Sequence, residues 1–125
     1  MKRILIIEDD SYFAALCEKG LKKYGYSVLR AGDGEEGLEM LEKERPDLVV
    51  LDIIMPRMNG LEVLKKIRQD QADVKLAEVP VIILTNLYQK NDVETGKMLK
   101  AKAYLVKAMT DIDQLVDEIK KVLNE

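Results

Sequence analysis

The chain is predicted to fold as a single α/β domain, a doubly wound parallel sheet with helices on both faces. Three observations carry this. Short continuous apolar runs recur along the chain, at 4–7, 48–51, 81–84 and 104–106, with a weaker one at 27–30. Unlike alternating runs, they suit strands covered on both sides. Segments of helical spacing separate them, and helix start signals fall between, so the pattern reads as βα repeated five times.

The elements follow in order. After the first run, Phe13, Leu16, Cys17, Leu21 and Tyr24 recur at three- or four-residue spacing, and Gly25 is placed to stop that helix. Three more helix starts are marked by Asp33 with Glu36, Asn59 with Glu62 and Asn91 with Glu94. Asp92 to Lys100 is the weakest helix, with Gly96 and few apolar residues. The last helix carries Ile112, Leu115, Val116, Ile119, Val122 and Leu123. Sequence alone leaves the strand order open; right-handed crossovers only narrow it.

The bulk composition narrows the function. The 125 residues suffice for one core, so residues 1–125 are expected to form one domain. A net charge of −3 with both signs interspersed gives no footprint for direct nucleic-acid binding. No apolar run has membrane-spanning length. The single cysteine, Cys17, is expected to be buried, and it fits a reducing cytoplasm. With no histidine, Ser-His-Asp chemistry and histidine metal ligation are excluded. Neither GxxxxGK[ST] nor GxGxxG occurs.

What remains is gathered at the strand ends, where open α/β sheets build their sites. The first strand runs into Glu8-Asp9-Asp10, the third into Asp52, the fourth into Thr85 and the fifth into Lys107. Converging carboxylates repel one another unless a cation intervenes, and oxygen ligands suit Mg2+. Lysine offers a point charge for a phosphoryl oxygen, and aspartate can act as a nucleophile to give an acyl phosphate. Together these groups describe metal-assisted phosphoryl transfer onto Asp52. Taken singly, Glu8, Asp9 and Asp10 would cap the first helix, with Asp10 favoured, Asp52 would pair with Lys107, and Thr85 would simply end a strand.

The stretches "ILIIEDD", "LVVLDIIMPRMNG", "VIILTN" and "YLVKA" resemble those of the CheY-like response-regulator receiver domain of two-component signal transduction, over essentially the whole chain. The resemblance implies a flavodoxin-like five-stranded parallel sheet ordered 2-1-3-4-5 with five helices. It implies a cytoplasmic phosphorylation-dependent switch, a phosphoacceptor that catalyses its own phosphorylation and dephosphorylation and is not otherwise an enzyme. Asp52 matches the phosphoacceptor. Glu8, Asp9, Asp52 and the main-chain carbonyl of Ile54 match the Mg2+ ligands, and Lys107 and Thr85 match the groups that meet the phosphoryl. Thr85 and Tyr104 match the switch that reshapes the face of the fourth helix, fifth strand and fifth helix. The partner implied is a sensor histidine kinase or phosphotransfer protein, with an effector protein or fused output domain downstream and a phosphorylation-dependent homodimer as a further assembly. The chain length suits either a single-domain regulator or the receiver segment of a longer one.

Two positions depart from the family pattern, and two variable ones bear on signal lifetime. Ala108 stands where proline usually follows the lysine, and a trans Lys107-Ala108 bond is expected, since the cis form costs about 2.5–4 kcal/mol before a residue other than proline. Lys100 stands in place of a glycine. Ile54 and Leu87, two residues beyond Asp52 and Thr85, are apolar where some relatives orient a hydrolytic water, so slow self-dephosphorylation is expected. The same residues leave other readings open. A haloacid-dehalogenase-type phosphatase needs a second aspartate where Ile54 stands, whereas a degenerate receiver would act as a phosphorylation-independent protein-binding module.

Overall fold

A computed structural model describes residues 1–125. The chain alternates β1 (Arg3–Ile7), α1 (Ser11–Lys23), β2 (Ser27–Ala31), α2 (Gly34–Glu44), β3 (Leu48–Leu51) and α3 (Gly60–Arg68). It continues through a single helical turn, Val74–Ala77, to β4 (Val81–Thr85), α4 (Lys90–Met98), β5 (Ala103–Val106), a 3-10 turn at Lys107–Met109 and α5 (Ile112–Leu123). The five strands are all parallel, in the order β2-β1-β3-β4-β5. β1 and β3 are therefore neighbours, although α1, β2 and α2 separate them in sequence, and their C-terminal ends open onto one rim.

The continuous apolar runs are explained by two cores, one on each side of the sheet. Leu5, Ile7, Val49, Leu51, Val81 and Ile83 face α2 and α3, where Leu41, Val63, Leu64 and Ile67 cover them. The alternate residues Ile4, Ile6, Leu48, Val50, Ile82 and Leu84 face α1 and α5, meeting Cys17, Leu21, Leu115, Val116 and Ile119. Each such side chain contributes about 1.5–3 kcal/mol by leaving water. Leu16 and Tyr24 share the helical spacing of α1 but stay 52% and 45% exposed. Tyr24 instead donates a hydrogen bond to Asp113 and lies under the Lys120 ammonium.

The capping signals hold at three of four sites. Asp10 Oδ1 accepts from the N–H groups of Tyr12 and Phe13, Asp33 Oδ1 from Glu36 N–H, and Asn59 Oδ1 from Glu62 N–H. The fourth is corrected. Gln89, not Asn91, precedes α4, and no side chain caps that end. The short connection Asn86–Gln89 brings the chain into helical geometry ahead of Asn91, whose carbonyl accepts from the Thr95 hydroxyl. Nothing in the sequence announces the turn at Val74–Ala77, because four residues are too few to show a period; Asp73 caps it.

The opposite end of α4 is held firmly. The Arg68 guanidinium donates to the carbonyls of Leu99 and Lys100 and to those of Ala77 and Val79. Lys100 takes a left-handed backbone, φ 62°, as its glycine-like position implied. Every peptide bond is trans, Lys107-Ala108 included.

Candidate functional site

Each strand of the rim delivers its group for a local reason. The β1 ladder continues past Ile7, since Asp52 N–H donates to the Ile7 carbonyl at 3.1 Å and Glu8 N–H to the Ala31 carbonyl at 3.0 Å. These bonds fix the backbones of Glu8 and Asp52 side by side. Gly60 packs beneath: its N–H reaches the Ile53 carbonyl at 2.8 Å, and a Cβ there would stand 2.0 Å from the Asp52 carbonyl oxygen. Only glycine permits that approach.

Glu8 and Asp52 are buried at 4% and 5% exposure, while Asp9 is open to solvent. One carboxylate oxygen from each of the three lies within 4.8 Å of the other two. Lys107 Nζ bridges the buried pair, 2.9 Å from Asp52 Oδ2 and 2.5 Å from Glu8 Oε1, and sits 4.5 Å from the centre of the Phe13 ring. The remaining Glu8 oxygen accepts from Asp10 N–H at 3.0 Å, and Asp52 Oδ1 accepts from Ile54 N–H at 3.3 Å.

Burial pushes the Glu8 carboxyl up to about 7, with the Lys107 and Asp10 hydrogen bonds opposing and the Asp52 charge adding. Burial works against the Lys107 charge too, but its hydrogen bonds to Glu8 and Asp52 outweigh that and raise its pKa. The ammonium therefore keeps its proton, and one lysine serves two buried acids. Cys17, buried in the core beside α5, is held up to about 11 by burial and by the Glu8 charge, with Lys107 opposing.

Thr85 is fully buried, and its Oγ1 accepts from Leu87 N–H at 3.2 Å. Tyr104 is half-buried, its hydroxyl donates to the Leu87 carbonyl, and its ring meets Tyr88 edge-on at 6.0 Å. Both residues thus hold opposite sides of the same short stretch of backbone. Ile54 donates its N–H to Asp52 and is 56% exposed.

The structure therefore brings Glu8, Asp9, Asp52 and Lys107 into one cluster and links Thr85 to Tyr104 beside it. Two residues that the sequence does not mark also belong to the site. In the sequence Phe13 shows only helical spacing, and Asn86, whose Oδ1 accepts from Ala108 N–H at 3.0 Å, shows only as the end of the "VIILTN" stretch. No local pattern announces either contact.

Residues 4–120 match the response regulator receiver domain family. The chain belongs to that family. The receiver is similar to Protein PilH of Pseudomonas aeruginosa, 35% identical over 98% of both chains. It is also similar to the alkaline phosphatase synthesis transcriptional regulatory protein PhoP of Bacillus subtilis, 37% identical over 85% of this chain and 42% of that one. It spans less than half the length of several of the curated relatives it matches. Among solved structures, chemotaxis protein CheY4 of Vibrio cholerae superposes with a TM-score of 0.87 at 30% identity over 98% of both chains. A CheY-like receiver domain from Methanospirillum hungatei gives 0.89 at 29% identity, over 99% of this chain and 94% of that one. Phosphorylation-dependent switching in two-component signalling is the general role of this family. Receivers are phosphoacceptor signalling domains and not enzymes of the ordinary kind. No helix is long and apolar enough to cross a membrane.

Proposed function

We propose that this receiver takes a phosphoryl group onto Asp52 from the phosphohistidine of a sensor kinase or phosphotransfer protein. The observation that carries the reading is the cluster itself: three carboxylates within 4.8 Å and a lysine on Asp52. The donors are all oxygen, which fits a hard divalent cation. Glu8, Asp9, Asp52 and the Ile54 main-chain carbonyl would hold Mg2+. When bound, Mg2+ neutralises charge on the phosphoryl oxygens and on the acids around them.

In this reading an Asp52 carboxylate oxygen attacks phosphorus, the P–N bond to the donor imidazole breaks, and its electron pair stays on that nitrogen. Lys107 turns from the carboxylates to a phosphoryl oxygen and keeps its charge throughout. The Thr85 hydroxyl leaves Leu87 N–H and donates to the phosphoryl group. Tyr104, tied to the carbonyl of the same Leu87, turns inward, and the surface of α4, β5 and α5 changes for an effector protein, a fused output domain or a second copy of the chain. The setting is the cytoplasm. Self-dephosphorylation is slow, because neither Ile54 nor Leu87 offers a polar side chain to orient water. The alternative, a phosphorylation-independent binding module, draws on Ala108 replacing proline. The reach of Lys107 to Asp52 counts against it.

Intact-mass analysis after incubation with acetyl phosphate and Mg2+ tests the proposal. One added phosphoryl group in the wild type and none in Asp52→Asn is the expected result. A folded wild type that gains nothing, beside a control receiver that labels, would leave the binding module.

A further inference from the structure

The β4–β5 ladder ends at the Thr85–Val106 pair, so Lys107 begins where sheet pairing stops. One further rung spans the gap. Asn86 follows Thr85, Ala108 follows Lys107, and the Ala108 N–H donates to Asn86 Oδ1 at 3.0 Å. A proline at 108 would have no N–H to give, so the asparagine and the alanine act as a pair. The remaining bonds of this turn are internal to it: Thr110 Oγ1 donates to the Val106 carbonyl at 2.8 Å, and Thr110 N–H to the Lys107 carbonyl at 3.3 Å. They shape the turn without tying it to β4.

We propose that Asn86 is a positioning residue for Lys107, holding the lysine's backbone to β4 so that its ammonium reaches Asp52. The role rests on the reading of Asp52 as phosphoacceptor. Asn86 and Ala108 are both exposed, so the rung adds little to the core. Its value is geometric, because it sets where an ammonium at the end of a flexible stem comes to rest. Phe13 limits the ammonium from the other side. The rung also joins the neighbours of Thr85 and Lys107, so the two groups assigned to the phosphoryl move together.

The test compares wild type, Asn86→Ala, Asn86→Asp, Ala108→Pro and the Asn86→Ala/Ala108→Pro pair. Asn86→Ala is expected to lower the maximal rate of labelling by acetyl phosphate about fivefold, a loss of positioning. The Mg2+ half-saturation and the melting temperature stay as in wild type. Asn86→Asp, which keeps an acceptor at the same reach, recovers the rate. In the Ala108→Pro background the rung is already gone, so Asn86→Ala has no further effect. An unchanged rate in Asn86→Ala, or an equal loss in both backgrounds, overturns the proposal. NMR of the Lys107 ammonium in unphosphorylated protein gives an independent readout: sharp in wild type and Asn86→Asp, broadened in Asn86→Ala. If the wild type takes no phosphoryl group, the phosphoacceptor reading falls, and the ammonium signal alone decides the rung.

Discussion

Lys107 Nζ stands 2.9 Å from Asp52 Oδ2 while closing on Glu8, so one ammonium compensates two buried carboxylates. Removing it leaves both acids without their partner. Lys107→Ala is expected to lose about 3–5 kcal/mol at pH 8 without divalent cations, the scale of a broken buried pair. Urea unfolding with and without Mg2+ checks this. Mg2+ should stabilise the variant more than the wild type, and equal stabilisation would argue against the cluster as the cation's seat.

Gly60 supports Asp52 from below. Gly60→Ala would drive a Cβ into the Asp52 carbonyl oxygen, at 2.0 Å without relaxation. The backbone has to move, and a cost of about 3 kcal/mol or more follows from overpacking against main chain. Denaturant unfolding should show that loss, and labelling of Asp52 should slow in the fraction that still folds.

Ile54 is 56% exposed beside Asp52, the proposed acceptor. Ile54→Asn would offer an amide to orient a water for attack on the acyl phosphate. Loss of phosphate followed by intact mass is expected to accelerate about fivefold, equivalent to ~1 kcal/mol of barrier. Unchanged decay would remove the explanation offered for a long-lived phosphoryl group.

Lys100 holds φ at 62°, a conformation glycine adopts without steric cost. Lys100→Gly is therefore expected to stabilise the fold by about 0.5–1 kcal/mol, with glycine's extra freedom in the unfolded chain already offset. A melting temperature below that of the wild type would refute this.

Alkaline pH should weaken the fold. Burial holds Cys17 up to about 11, and burial followed by the Glu125 hydrogen bond holds Tyr26 up to about 12. The unfolded chain loses these protons near their ordinary values of 9.0 and 10.0. Above pH 9 the native state therefore binds more protons than the unfolded one, and stability falls as pH rises towards 12. Unfolding free energies taken at intervals from pH 8 to 11.5 should decline, less steeply in Tyr26→Phe. An identical slope in that variant would discount the Tyr26 contribution.

Much of this architecture was legible in the residues. Leu48–Leu51 reads as a doubly covered strand because both of its faces are apolar, and Asp10 and Asn59 announce helix starts through short-range bonds to their own neighbours. Asn91 carries the same signal without the bond, since the length of the preceding connection decides where α4 begins. Strand order came from the family resemblance, periodicity being silent on it. The strand ends named the acids, the threonine and the lysine, but not what surrounds them. Phe13 beneath Lys107 and Asn86 against Ala108 are contacts across the sheet, 94 and 22 residues apart in sequence. Local spacing carries no trace of such distances.

Arg68 grips the carbonyls where α4 ends, whereas no side chain caps the end that follows Thr85. The two ends of α4 are therefore unlike: a side chain from α3 binds one, and the other has no side-chain cap. If the helix moves on phosphorylation, as proposed above, the displacement is expected to be largest at Lys90 and smallest at Met98, as in a lever whose fulcrum lies at Leu99 and Lys100.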